Sequence, residues 1–453
     1  MRKLLLVICS LLTITAFAGM PRSEKRGFGT NNMSYRENFE VLAAGSSWFY
    51  NWSFKAPTVV EKDFYETGMD YVPMTWGRGL EGYADQLRDY LRQHPEIKYI
   101  LGVNEPNFRD QANMNPREVA AVWPLLESIA DEFGLEIVGP AVNFADPNNT
   151  CSDVIDGKTV TYADPFAYYK AFFEFCPECR VDYLAFHLYM PGGLNTYINR
   201  LSSENGGRKV WLTEFNFNNG GSADTTAHMN FITSEVEALE KNPNVFRYAW
   251  FMSYGQARPA NLLNPGKGQL TTLGKVYTGM SSFDATYYHP AGEKIPAVQY
   301  QSSHSVTIRP STDNANALML KDMANGSWAE YQVEVPTTGS YDLYLRLVCK
   351  AATKIDVYED DVLLTTLQPT ATCTTDFDTW GTQSFPVQLT AGKHRLKLQS
   401  TGRMYYNEWL SIGQPTSIIN QQSSIKNQKS LTPDGQLLIQ AGGKTYNAMG
   451  QQL

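Results

Sequence analysis

At 453 residues the chain is long enough to fill two hydrophobic cores. Its 43% hydrophobic and 19% charged residues describe a globular protein and exclude a disordered one. A formal net charge of −8, with no basic patch, excludes nucleic acid as an expected partner.

Met1 to Ala18 begins with Arg2 and Lys3, runs apolar from Leu4, and ends on Ala16-Phe17-Ala18. A basic start, an apolar middle and a small-x-small end read as a secretory signal peptide. The run is short of the roughly 20 residues a membrane span needs, and no later segment supplies one. A secreted or cell-surface protein without a transmembrane segment is therefore expected.

Between about residues 25 and 288, short apolar runs alternate with helical patterns. The runs are Arg26–Gly29, Ser47–Trp52, Tyr71–Trp76, Ile100–Val103, Ile137–Ala141, Val181–Tyr189, Val210–Phe215 and Arg247–Phe251. Helical periodicity covers Tyr83–Gln93, Pro116–Phe133, Pro165–Phe175 and Thr226–Lys241. Near-continuous apolar strands belong to a parallel sheet covered by helices, and eight such units predict an α/β fold, a (β/α)8 TIM barrel. Asn143–Pro165 is a long insertion that could close one end of a cleft. From about residue 295 to 413 the helical pattern gives way to alternating strands such as Ala329–Val335, Tyr341–Val348 and His394–Ser400. These predict an all-β sandwich, or jelly-roll, module. Residues 414–430 are polar and read as a linker, followed by a small β-like tail over 431–453.

With Cys9 in the signal, five cysteines remain. Cys349 and Cys373 are expected to pair within the second module. Cys176 and Cys179 suit a local disulfide, or one of them reaches Cys151. A zinc site lacks a second ligand pair, so no metal is assigned.

Barrel chemistry gathers at the C-terminal ends of the strands. Asn104-Glu105-Pro106 ends the fourth run and Thr213-Glu214-Phe215 the seventh. His187 and Tyr189 end the sixth, Trp250 the eighth, and Trp52 and Trp76 the second and third. Two carboxylates across a barrel mouth, rimmed by aromatics, suit glycoside hydrolysis: a retaining enzyme needs a nucleophile and an acid/base about 5 Å apart. Aromatics make up 13% of the chain, which a large core explains as well as sugar stacking does.

The ordered segments "WFYNW", "YVPMTWG", "LGVNEPN", "VGPAV", "VDYLAFHLY", "VWLTEF" and "YAWF" resemble glycoside hydrolase family 128, a clan A family of endo-β-1,3-glucanases. The resemblance implies Glu105 as acid/base, Glu214 as nucleophile and retention of configuration. It places Asn104, His187, Tyr189 and Trp250 along the sugar subsites, where Trp52 and Trp76 join them as strand-end aromatics, and it implies no cofactor for the chemistry. The segments "GSWAEYQVEVPTTGSYDLYLRL", "WGTQSFPVQLTAGKHRLKL" and "YYNEWLSI" resemble a family 6 carbohydrate-binding module. That likeness implies a sugar site with Trp380 and Asn407, and a structural calcium whose early acidic ligand is here replaced around Gln299–Gln301. The last residues, "DGQLLIQAGGKTYNAMGQQL", are similar to type IX secretion sorting tails. The expectation is a monomeric, secreted endo-β-1,3-glucanase acting on β-glucan polysaccharide. The alternatives are a clan A enzyme for another β-glycan, or a non-catalytic surface glycan-binding protein.

Overall fold

The computed structural model describes residues 19–31, 33–217, 224–255 and 259–413, with three short strands beyond. The expected signal segment, Met1–Ala18, and most of the expected linker, residues 414–427, lie outside the described residues.

The first body is built on β1 (Arg26–Gly29), β2 (Trp48–Tyr50), β3 (Asp70–Tyr71), β4 (Tyr99–Leu101) and β5 (Glu136–Val142). A hairpin, β6 (Ser152–Ile155) and β7 (Lys158–Thr161), precedes β8 (Tyr183–Tyr189), β9 (Val210–Asn216) and β10 (Val245–Trp250). The eight long-range strands form one parallel sheet in the order β3-β2-β1-β10-β9-β8-β5-β4. It closes on itself where Met74 bridges Leu101, with Thr75 N–H donating to Leu101 O at 2.9 Å. Strands here are covered on both faces, which is why they read as continuous apolar runs.

Helices α1 (Arg36–Ala43), α2 (Leu80–Gln93), α3 (Pro116–Phe133), α4 (Pro165–Phe175), α5 (Leu194–Glu204), α6 (Thr225–Lys241) and α7 (Thr272–Gly279) follow the strands. Helices were expected in most of these gaps, although α1, α5 and α7 had no residue range assigned from sequence. Local chemistry fixes α3. Asn115 caps Glu118 N at 3.0 Å and Glu118 Oε2 returns to Asn115 N at 2.8 Å, with Pro116 at the first turn. At the floor of the barrel the Arg247 guanidinium lies 4.8 Å from the Tyr99 ring and 5.1 Å from Trp211, paired with Asp70 at 2.6 Å. That plug leaves the opposite mouth, where the strands end, as the open one.

The second body is a sandwich of two largely antiparallel sheets. One holds β11 (His289–Pro290), β16 (Trp328–Val335), β21 (Gly392–Ser400), β18 (Ile355–Glu359) and β19 (Val362–Leu367), with β13 (Ser302–His304) on β16. The other runs β14 (Thr307–Pro310), β15 (Leu318–Met323), β22 (Tyr405–Ile412), β17 (Gly339–Cys349) and β20 (Gly381–Leu389), with β12 (Ile295–Pro296) on β22. Past the linker, β23 (Gln428–Leu431), β24 (Leu437–Ala441) and β25 (Lys444–Tyr446) form a small antiparallel sheet.

Cys176 and Cys179 form the local disulfide. The expected Cys349–Cys373 bond is absent. Cys373 approaches Cys349 through its backbone N–H, and both thiols turn to carbonyls: Cys349 Sγ to Thr370 O at 3.3 Å, Cys373 Sγ to Cys349 O at 3.5 Å.

Candidate active site

Past β4 the chain turns through Gly102, where an added Cβ would lie 3.0 Å from both the Trp123 ring and Val138 O. It then reaches Asn104 and Glu105. Asn104 N donates to Trp76 O at 2.7 Å and Glu105 N to Ala141 O at 2.8 Å, so both neighbouring strand ends hold the segment. Glu105 adopts a left-handed backbone (φ +38°), which aims its carboxyl across the mouth instead of along the strand. Glu105 Oε1 accepts from Asn143 Nδ2 at 2.9 Å and contacts His187 Nδ1 at 3.0 Å.

Glu214 stands in β9 beside His187 of β8, in register after a shift at Phe186/His187. Its residue is 4% exposed. Oε1 accepts from Trp52 Nε1 at 2.7 Å and Tyr50 Oη at 3.2 Å, while Oε2 accepts from Tyr189 Oη and lies 3.3 Å from His187 Nδ1. The ligand atoms of Glu105, His187 and Glu214 all lie within 4.8 Å of one another. These three are the one such cluster among the described residues. Indole, phenol and amide donors already converge on its carboxylates, which is the environment of an acid–base pair.

Burial alone would push Glu105 up. The His187 contact, supported by Asn143, outweighs it and holds the carboxyl below its ordinary value. Burial pushes Glu214 up; His187 opposes that rise, the Glu105 charge adds to it, and Tyr189 and Trp52 oppose it. His187 would be lowered by burial, yet the Glu214 and Glu105 charges raise it. Its Nδ1 lies between two carboxylates, 3.0 Å from Glu105 and 3.3 Å from Glu214, so the hydrogen is assigned to Nδ1; Nε2 is buried without a partner.

The cavity over this pair holds about 460 Å³, and Trp52, Trp76, Asn104, Tyr189, Phe108, Asp110, Asn149 and Phe251 help to line it. Trp76 is 38% exposed at the rim, the exposure expected of a stacking platform. Trp250 is placed elsewhere. It is 0% exposed, its Nε1 donates to Ala260 O at 2.7 Å, and its ring meets Phe215, His228 and Tyr277 outside the mouth. Phe251, one residue on, faces the cavity and packs edge-on to Trp52 (5.6 Å) and Tyr189 (5.5 Å).

Trp380 and Asn407 belong to the sandwich and do not meet the barrel site. Trp380 lies partly exposed beside Met319, Val348, Cys373 and Tyr406, its Nε1 donating to Thr312 Oγ1 at 3.0 Å. Asn407 is 2% exposed, in register with Leu320 and Leu347, and its Oδ1 is buried without a hydrogen-bond partner. Its neighbour Tyr406, 8% exposed, stacks on Phe377 at 4.5 Å. At the early position Gln301 and Gln332 donate their side-chain amides to Phe283 O and Ala285 O, both at 3.0 Å, and their Oε1 atoms stay buried without a hydrogen-bond partner; neither is the carboxylate that position would be expected to carry.

A family model described as glycosyl hydrolase catalytic core matches residues 27–277, and one for carbohydrate-binding module family 6 matches residues 296–414. A GH128 subgroup II endo-β-1,3-glucanase from Pseudomonas viridiflava is 34% identical; the match covers 57% of this chain and 98% of that one, with a TM-score of 0.50. The subgroup II enzyme from Sorangium cellulosum is 33% identical, over 56% and 97%, with a TM-score of 0.49. Alkali-sensitive linkage protein 1 of Schizosaccharomyces pombe is 25% identical over 289 residues, 58% of this chain but only 44% of that protein. Because one model spans more than half of the sequence and the Pseudomonas enzyme is matched nearly end to end, the chain belongs to the glycosyl hydrolase catalytic core family, and its barrel to glycoside hydrolase family 128.

Proposed function

We propose that the chain hydrolyses β-1,3-glucan by double displacement, with Glu105 as general acid/base and Glu214 as nucleophile. The observation that carries this reading is the closeness of the pair, one oxygen of each carboxyl lying within 4.8 Å of one of the other. Retaining pairs stand about 5–5.5 Å apart, whereas an inverting pair needs roughly 6.5–9.5 Å to admit water. Glu214 attacks the anomeric carbon while Glu105 protonates the departing glycosidic oxygen. The resulting ester removes the Glu214 charge, and Glu105 then accepts a proton from the incoming water. The substrate sets the starting protonation: the bound sugar completes the desolvation of Glu105, and positive charge growing on the ring favours ionised Glu214. Asn104, 3% exposed with an unpartnered Oδ1, stands where an amide can bond a ring hydroxyl in the transition state.

The choice of β-1,3-glucan rests on the name of the Pseudomonas relative. We assign the sandwich to glycan binding through Trp380, Tyr406 and Phe377, and export to the signal-like segment and the sorting-like tail.

Purified protein is assayed for reducing sugar on laminarin, curdlan, barley β-glucan, mannan and xylan, with Glu214→Ala as control and NMR of the first-formed anomer. Release from the β-1,3-glucans, abolished in the variant and giving β product, is the expected result. Release from another glycan alone would move the specificity, an α anomer would refute retention, and silence on all five would leave a glycan-binding protein.

A further inference from the structure

We propose that Asn143 is the positioning residue for Glu105, itself held by Asn107, so that the proton given to the leaving group is carried on Glu105 Oε2. The assignment rests on the acid/base role of Glu105 given above. Both recorded partners of the carboxyl meet the same oxygen: Oε1 takes Asn143 Nδ2 at 2.9 Å and His187 Nδ1 at 3.0 Å. A proton on Oε1 would face two donors and no acceptor, so it belongs on Oε2. The Asn143 amide cannot be turned over, because its Oδ1 accepts from Phe144 N at 2.8 Å.

Asn107 is the fourth residue of the Asn-Glu-Pro-Asn segment and is completely buried. Its side chain donates to Asn143 O at 2.6 Å and accepts from Asn143 N at 3.4 Å. Its carbonyl accepts from Thr150 Oγ1 and Cys151 N, both at 2.9 Å. A short closed circuit results: Glu105 through Pro106 to Asn107, across to Asn143, and back to Glu105 Oε1. It fixes the donor relative to the carboxyl from within the same turn, and the circuit holds Glu105 in its left-handed backbone.

The titratable groups facing Glu105 are Glu214, His187, Asp110, Tyr50 and Tyr189. All remain when Asn143 is truncated. The lost N–H bond favoured the ionised carboxylate, so Asn143→Ala raises the Glu105 pKa. Because Glu105 must begin protonated, the alkaline limb of kcat/KM moves to higher pH.

The test compares the full chain with Asn143→Ala, Asn107→Ala and Glu105→Ala, each checked for folding by circular dichroism. Substrates are laminarin and 2,4-dinitrophenyl β-laminaritrioside, whose leaving group needs little proton assistance. Asn143→Ala is expected to lose roughly 10- to 100-fold on laminarin, the scale of a misplaced catalytic group. It should lose less than about threefold on the aryl glycoside. Asn107→Ala should show the same pattern, with the alkaline limb raised in both. Equal losses on the two substrates with an unmoved limb would overturn the positioning role, provided Glu105→Ala still discriminates between them. If Glu105→Ala does not discriminate, the acid/base reading fails and this inference falls with it.

Discussion

Glu214 is held at residue scale by donors from four places: Trp52, Tyr50, His187 and Tyr189. Trp52 reaches it from a left-handed backbone (φ +56°), and its ring lies where a Cβ on Gly29 would stand 3.1 Å away. Trp52→Phe keeps most of the ring and removes the N–H. The lost hydrogen bond stabilised the carboxylate, so the variant raises the Glu214 pKa beyond its already elevated position. Glu214 must be ionised to attack; activity is therefore lost first at low pH, and the acid limb of kcat/KM moves upward. A hydrogen bond to a charged group contributes about 1.5–3 kcal/mol, so kcat/KM at the optimum should fall at least about tenfold. A pH–rate profile with an unmoved acid limb would show that Trp52 only stacks on sugar. Glu105, Glu214, Asn104, His187 and Tyr189 were legible because each ends an apolar run with a group that packing does not require. Trp250 was misplaced by a single residue. Composition cannot tell which of two neighbours in "YAWF" faces the mouth, since that depends on where a strand bends or bulges; β10 shifts register against β9 between Tyr248 and Trp250. Phe251 is the residue that the alternation delivers instead. Asn143 carried no sequence signal, lying in an insertion whose contact with Glu105 exists only after β4 and β5 pair.

Element by element, the eight barrel strands were readable because continuous apolar runs have few other homes, although β3 shrinks to Asp70–Tyr71. The β6–β7 hairpin inside the insertion was missed despite a strong local sign. Asp156 and Gly157, both left-handed at φ +51° and +73°, form the two-residue turn that Asp-Gly favours. Short α7 was missed because its stability comes from elsewhere. Its last turn has no basic residue of its own, and the buried Arg26 of β1 supplies the charge. Arg26 donates to Tyr277 O at 2.9 Å, Met280 O at 3.2 Å and Ser281 O at 2.5 Å, while pairing with Glu240 of α6 at 3.3 Å. One side chain thus ties the first strand to the last two helices. Arg26→Ala leaves three carbonyls without that donor and the buried Glu240 carboxylate without its cation, only the Tyr248 hydroxyl still donating to it, at a cost of about 3–5 kcal/mol. Thermal unfolding should show a Tm several degrees lower, and Arg26→Lys, with one point of charge for three carbonyls, should recover only part. A Tm within one degree of the parent would mean that water replaces the guanidinium.

For the whole molecule, the change from helical to alternating pattern near residue 295 was visible in sequence, but the way the two bodies meet was not. No local pattern announces that α6 and α7 of the barrel carry the sandwich. Glu237 of α6 accepts from Ser303 N at 3.1 Å and Ser303 Oγ at 2.6 Å, and Arg309 reaches Asn230 at 2.6 Å. Between them Val276, Met280, Phe283, Ile295, Tyr300 and Leu318 share one buried apolar cluster that runs from barrel to sandwich. Leu318 sits against Gly279, where an added Cβ would come within 2.8 Å of it. Apolar burial of this kind contributes roughly 25 cal/mol per Å², and neither body retains it alone. The two bodies should therefore unfold together. Calorimetry of the full chain is expected to give one transition whose calorimetric and van't Hoff enthalpies agree. A chain ending at Tyr288 should melt lower than the parent. Gly279→Leu, placed at the seam and away from the mouth, should split or lower the transition while the folded fraction keeps its kcat/KM. Two separate transitions in the parent, with the barrel's Tm unaffected by removing the sandwich, would mean that the seam is merely contact. In that case the sandwich would be tethered only by chain connectivity. With a shared core, the catalytic mouth and the Trp380 patch are instead held at one fixed separation, so that on the glycan-binding role proposed for the sandwich a chain held there would meet the cleft in a defined geometry.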